Sequence, residues 1–180
     1  MTLFFYLLIA FITFIAFLHA WAKKRYDISR TMVINSPRDV VFSYVRQLKK
    51  HPLWVPWFAK HPEAVLKHKG EDGKLGAAIY WKSKNNEIGE GLQKIIKVKH
   101  PRVFETRVLF VKPVKVSMLT YFAAKELEPG KSKVVWGIRG NLPFPLSVIS
   151  LFYSADKLMG QDLEKGLISL KTTMEKGVKV

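Results

Sequence analysis

Residues 131–176 read KSKVVWGIRGNLPFPLSVISLFYSADKLMGQDLEKGLISLKTTMEK, and two periodicities within them decide the fold. Val134, Trp136 and Ile138 fall on alternate positions, which predicts a strand with one buried face. Gly140-Asn141-Leu142-Pro143-Phe144-Pro145 predicts a turn. A helical pattern then runs to the end of the chain. Ile149, Phe152, Asp156, Met159, Leu163, Leu167, Leu170 and Met174 recur at steps of three or four and share one helical face, with Asp156 the only polar member. A long helix with one apolar stripe needs a broad apolar surface to lie on. The chain before it supplies candidate strands, so the expected fold is a curved antiparallel sheet of about six to seven strands around a long C-terminal helix.

Working back, Tyr26–Ile34 alternates loosely and predicts a first strand. Asn35-Ser36-Pro37-Arg38-Asp39 predicts a helix start, with Ser36 as cap, Pro37 at the first helical position and Asp39 near the positive end. Val41, Tyr44, Val45 and Leu48 give that helix its apolar stripe, and Lys49-Lys50 suit its C-terminal end. In His51-Pro52-Leu53-Trp54-Val55-Pro56-Trp57-Phe58 two prolines forbid a long helix. Its aromatics predict a bulky plug on a short helix or turn, either a lid over the core or one wall of a pocket. Strands are expected over Glu63–Lys69, Gly76–Ser83, Glu87–Lys99, Arg102–Val111 and Lys115–Glu128, the last with a bulge. Ala77, Ile79 and Trp81 share one face, as do Phe104, Thr106, Val108 and Phe110. Short turns between these runs imply antiparallel hairpins.

The N-terminus is of another kind. Leu3–Ala22 holds no Asp, Glu, Lys or Arg and contains twelve Leu, Ile or Phe residues. As a helix its 20 residues span about 30 Å, the thickness of a bilayer core. Insertion of those twelve side chains gains on the order of 4 to 7 kcal/mol. Ala20-Trp21-Ala22 also fits the small-x-small pattern of a cleaved signal peptide. Against that stand the length of the apolar run, the lack of a basic residue before it, and Lys23-Lys24-Arg25 directly after it. The expectation is a single-pass anchor, residues 1–25, with the N-terminus outside, and a cytoplasmic domain over residues 26–180.

All 30 Lys and Arg residues follow residue 22, and the net charge is +16. Charge of that size on a tethered domain points to anionic lipid before nucleic acid, for which no motif is present. The chain has no cysteine, so disulfides, thiolate metal sites and cysteine nucleophiles are excluded.

Local motifs resemble those of the START-like or helix-grip superfamily (SRPBCC), and within it the polyketide cyclase/dehydrase and lipid transport proteins. Ser36-Pro37 before Val40-Val41-Phe42 resembles the family's entry into its first helix, and Leu53-Trp54-Val55-Pro56-Trp57 its aromatic second helix. Gly89-Glu90-Gly91 with Ile95 resembles a central strand. Val134-Val135-Trp136-Gly137-Ile138 with Pro143-Phe144-Pro145, and Asp156–Gly160 with Asp162–Leu167, resemble the last strand, turn and terminal helix. The resemblance covers about Tyr26 to Glu175. It implies an α+β helix-grip fold with two short helices after the first strand, and an apolar cavity between sheet and terminal helix. Members bind lipids, sterols, quinones, polyketides or hormones there, and some catalyse cyclisation.

The residues leave the activity open. The five histidines show no metal-ligand spacing and read as turn or surface residues; no metal site and no cofactor is expected. No G-x-S-x-G elbow is present, and Gly89-Glu90-Gly91 is not a nucleotide-binding pattern. Trp54, Trp57, Trp81, Phe104, Tyr121 and Trp136, with Met159 and Leu163 on the helix, are the candidates to line a cavity; ordinary core packing is the alternative for each. Tyr80, Thr106, Tyr121 and Asp156 are its candidate polar groups. Asp156 either meets a ligand, as hydrogen-bond partner or general acid or base, or sits at a solvated helix end or in an ion pair. Gly160 and Gly166 let the helix approach the sheet. Three readings follow: a membrane-anchored binder of a lipid or other hydrophobic small molecule, a cyclase or dehydratase using the same cavity, or an interaction module with a filled core.

Overall fold

In the computed structural model, residues 2–22, 24–113, 115–142, 144–151 and 154–176 are described. The chain runs from a 20-residue helix α1 (Thr2–Trp21) into strand β1 (Arg25–Ile34). Helix α2 (Arg38–Val45), a 3-10 turn (Leu48–Leu53) and the one-turn α3 (Pro56–Ala59) follow. Six more strands come next: β2 (Val65–Lys69), β3 (Ala78–Lys82), β4 (Glu90–Lys99), β5 (Val103–Lys112), β6 (Val116–Glu128) and β7 (Lys131–Asn141). A short α4 (Leu146–Ile149) leads to the long α5 (Ala155–Glu175). The seven strands form one antiparallel sheet in the order β1-β7-β6-β5-β4-β3-β2. This is the helix-grip fold expected from the sequence, with the sheet curved around α5.

The strand periodicities hold. Val134, Trp136 and Ile138 are buried, as are Ile79 with Trp81, and Phe104 with Thr106 and Val108. The register shift between Glu126 and Glu128 is the bulge expected in β6. Two further irregularities in β4, between Glu90 and Gly91 and between Ile95 and Lys97, carry no local sequence signal. Gly89 enters β4 at a φ of +55°, and a Cβ there would stand 2.1 Å from the Lys112 carbonyl oxygen, so only glycine fits. On α5, Leu163, Leu167, Leu170 and Met174 are buried. Each such side chain contributes about 1.5–3 kcal/mol through its burial.

Three local expectations are corrected. The terminal helical pattern is not one helix. It breaks after Ile149, which lies exposed in α4, and α5 starts at Ala155, where Ser154 Oγ accepts the Lys157 amide at 3.2 Å. Two separate helices preserve the spacing by accident, and Phe152 and Pro143 lie outside the described residues. Ser36 does not cap α2. Pro37 holds the cap position, and the Arg38 amide is satisfied from across the fold by Glu126 Oε2 at 3.0 Å. The Ser36 carbonyl instead accepts the Ser132 hydroxyl at 2.9 Å, tying β1's end to β7. Finally, Lys49 and Lys50 stand beyond the end of α2, in the 3-10 turn.

The register fixes which end of the sheet meets α1. Arg25 pairs with Asn141, Phe110 with Val116, Glu90 with Lys112 and Lys82 with Val65. These pairs form one rim, the one at which α1 hands over to β1 and at which α5 begins. The far end of α5 reaches the other rim, where Glu175 Oε1 accepts the Asn35 amide at 2.8 Å.

Candidate ligand cavity

Between the sheet and the start of α5 lies a cavity of about 250 Å³, lined by Trp57, Glu87, Ile88, Val108, Phe110, Met118, Ile138, Met159 and Asp162. Its walls follow from the fold. Val108 and Phe110 extend the inward face of β5, Met118 that of β6, and Ile138 that of β7. Met159 and Asp162 come from the first two turns of α5, and Ile88 and Glu87 from the loop before β4. Every lining strand residue stands near the rim that receives α1.

Of the eight side chains expected here, Trp57 and Met159 line the cavity. Trp136 and Trp81 stand directly behind the lining. Trp57 packs on Trp136 at 5.5 Å between ring centroids, and Trp81 meets Phe110 edge-on at 5.4 Å. Trp136 is held under α5 because a Cβ on Gly166 would stand 2.5 Å from its ring. The Trp81 indole N–H donates to the Ile88 carbonyl at 3.0 Å, which fixes the loop that forms one wall. Trp54, Phe104 and Leu163 are packed in the core. Tyr121 is not in the cavity. It lies on the outer face of the sheet, where its hydroxyl donates to Asp27 Oδ1 at 2.7 Å and Arg139 covers its ring. Burial and that hydrogen bond push its phenol up from the ordinary value. Strand alternation alone explains the correction: Thr120 and Phe122 take the inward positions.

Sequence reasoning favoured aromatic residues and passed over the aliphatic neighbours on the same faces. Val108, Phe110 and Ile138 were legible as inward positions, and they line the cavity. Glu87 and Asp162 carried no signal, since their role depends on which loop meets which helix turn.

The mouth is polar. Lys60 Nζ pairs with Asp162 Oδ1 at 2.9 Å. His61 sits between two carboxylates, Glu63 Oε1 at 3.4 Å and Glu87 Oε2 at 3.3 Å. Of the turn or surface position expected from the sequence it takes the turn, its carbonyl accepting the Ala64 amide at 3.1 Å, but it is buried at 8% exposure. His51 is likewise buried, and donates from Nε2 to the Val45 carbonyl at 2.8 Å. Burial lowers its pKa below the ordinary imidazole value, against weaker opposing contributions from Val45 and Gln93. Thr106 is buried but turned into a polar run, receiving Gln93 Nε2 at 2.9 Å and meeting Thr120 Oγ1 at 2.7 Å. Tyr80 faces outward and is exposed. Asp156 stands in the first turn of α5, its side chain 57% exposed, gripped by Arg30. Among the described residues, no group of His, Asp and Glu could hold a metal ion.

No family model matches the chain, and no curated protein matches it in sequence. Solved structures do match its fold. A ginseng major latex-like protein 151 from Panax ginseng superposes with a TM-score of 0.57 at 14% identity, covering 84% of this chain and 99% of that one. A protein from Nitrosospira multiformis gives a TM-score of 0.59 at 16% identity, over 83% of this chain and 96% of that one. The di-domain ARO/CYC protein StfQ, from the steffimycin biosynthetic pathway, gives 0.63 at 9% identity, over 87% of this chain and 53% of that one. At these identities the likeness is one of fold, shared over 83–87% of this chain.

Proposed function

We propose that this protein binds a small hydrophobic molecule, or the apolar end of a larger one, in the cavity between sheet and α5, and that α1 anchors this domain to a membrane. The observation that carries the reading is the cavity's position. It is apolar on all sides but two, and its strand residues stand towards the rim into which α1 feeds. Its volume of about 250 Å³ lies below the range of about 300–1,000 Å³ that encloses a drug-sized molecule, so a chain end or a small ring fits and a whole lipid does not. On this reading the anchor with its basic flank takes residues 1–25 and the domain residues 26–180; α1 ends at Trp21 and β1 starts at Arg25.

Helix α1 is apolar over its length and has no buried residue, the properties of a membrane span or a signal sequence. The basic run after it favours a retained anchor, with the domain on the cytoplasmic side. The remaining positive charge would hold the domain close to anionic lipid.

A second reading has a specific observation behind it. Glu87 lines the cavity and meets His61, so a carboxylate with a basic partner stands at the mouth. That pairing suits general acid–base chemistry on a bound polyketide-like substrate, as in a cyclase or dehydratase. Binding ranks first because, among the described residues, Glu87 and Asp162 are the cavity's only charged lining residues and both already have partners.

Native mass spectrometry with lipidomics on gently extracted protein tests the proposal. A discrete bound hydrophobic species is expected, and Met118→Trp, which fills the cavity, should abolish it. A species retained in that variant would place the ligand elsewhere. An empty but folded protein would favour the enzyme or a filled interaction module.

A further inference from the structure

The connection between β7 and α5 carries apolar side chains that the described residues leave largely exposed. Phe144 is 58% exposed, Ile149 45% and Leu151 40%. Yet the connection is tied at two points to the anchor helix and at a third to the residues just after it. His19 Nδ1 meets Ser147 Oγ at 2.7 Å. The His19 ring stands edge-on to Phe144 at 5.6 Å between centroids. The Leu142 amide donates to the Lys24 carbonyl at 2.8 Å.

These ties set a depth. Helix α1 has 20 residues, about 30 Å, which a bilayer's hydrocarbon core takes up entirely. His19 lies two residues before the helix end, about 3 Å along the axis. A segment bonded to His19 therefore stands at the boundary between hydrocarbon and headgroups. At that level Phe144, Ile149 and Leu151 meet lipid instead of water. Around them stand Lys24, Arg25 and Lys115, which line one pocket with Phe144. Of the acidic groups at this rim, Asp156 pairs with Arg30 and Glu90 with Lys82 and Lys112, while Asp27 accepts the Tyr121 hydroxyl and Glu87 meets His61.

We infer that the segment 144–151 is a second membrane contact, lying in the interface of the leaflet from which α1 emerges, with its apolar side chains in lipid and the flanking cations at anionic headgroups. This rests on the reading of α1 as a membrane span. It also places that rim of the sheet, towards which the cavity lies, at the bilayer surface.

The chain's lack of cysteine makes the test direct. Single variants Ile149→Cys and Leu151→Cys in the full-length chain are labelled with an environment-sensitive fluorophore. They are reconstituted in phosphatidylcholine–phosphatidylglycerol vesicles carrying spin-labelled quencher lipids. Phe11→Cys reports the anchor, and Leu127→Cys, exposed at the opposite rim, reports water. The expected result is loss of emission at 149 and 151 with shallow quenchers, at 11 with deep ones, and none at 127. Quenching at 11 with 149 and 151 as bright as 127 would overturn the inference and leave the anchor standing. No quenching at 11 would remove the anchor, and the inference with it.

Discussion

Arg30 on β1 grips the Asp156 carboxylate on α5 with both guanidinium nitrogens, Nη1 to Oδ1 at 2.8 Å and Nη2 to Oδ2 at 3.0 Å. This pair explains why a carboxylate occupies the apolar stripe of a helix. Asp156 stands where the stripe leaves the core, in a first turn that favours negative charge. The Arg30 hydrogen bond holds its carboxyl below the usual carboxylate range.

The first prediction concerns Asp156→Asn. A carboxylate with a lowered folded pKa stabilises above its unfolded value, and that stabilisation is lost as pH falls through the folded value. The variant should lose a little stability at neutral pH, because the pair is exposed, and should lose less than the parent on acidification below about pH 4. Melting temperature against pH reads both. Ligand binding should survive. Binding lost with stability intact would return Asp156 to the site.

A second prediction separates two glycines on the same helix. A Cβ on Gly160 would stand 2.2 Å from Arg30 Nη2, the free end of a long side chain. On Gly166 it would stand 2.5 Å from the Trp136 ring and 3.0 Å from Pro56, both packed. Gly160→Ala should displace Arg30, weaken the Asp156 pair and gain helix propensity, with a net change near zero. Gly166→Ala should cost about 1–3 kcal/mol, the usual range for overpacking a core. Chemical denaturation of the two variants checks the difference, and equal costs would refute the assignment of Gly166 as the close approach.

A third follows from His51. The unfolded chain takes up this proton near pH 6.5, and the folded chain resists it because burial lowers the pKa. Below that pH the unfolded state binds more protons, so stability falls as pH falls from about 6.5 towards the folded value and is flat above. His51→Gln removes this titration. Its stability should vary less than the parent's between about pH 6.5 and pH 5, read by denaturant midpoints. An unchanged slope would show that another group carries the acid sensitivity.

The strands were legible because one-face burial writes a period of two into the chain, as in Phe104, Thr106 and Val108. The break between α4 and α5 was not, because Ile149 continues the stripe's spacing while pointing to solvent. The cavity was half legible. Trp57 and Met159 could be named from bulk and stripe, but Tyr121 was drawn in by its type against the alternation that puts it outside. The α2 cap departs from its local signal for a related reason. Ser36 is a good cap by local rules, but Glu126 reaches the same helix end from β6, 88 residues away. Glu126→Ala should accordingly cost about 0.5–2 kcal/mol, and Ser36→Ala should do nothing to the cap itself.

The last prediction uses two tryptophans that touch. Trp136 is buried beneath Gly166 and between Trp54 and Trp57, at 4.8 and 5.5 Å between ring centroids. Trp136→Ala should cost about 3–5 kcal/mol, and any binding it loses would report a damaged core. Trp57 is half-buried and lines the cavity, so Trp57→Ala should cost less and widen the mouth. If the cavity is the binding site, Trp57→Ala should shift the affinity for a hydrophobic probe, such as a fatty acid titrated by calorimetry, while the fold stays intact by circular dichroism. Affinity unchanged in Trp57→Ala and in the cavity-filling Met118→Trp would mean that the probe binds elsewhere.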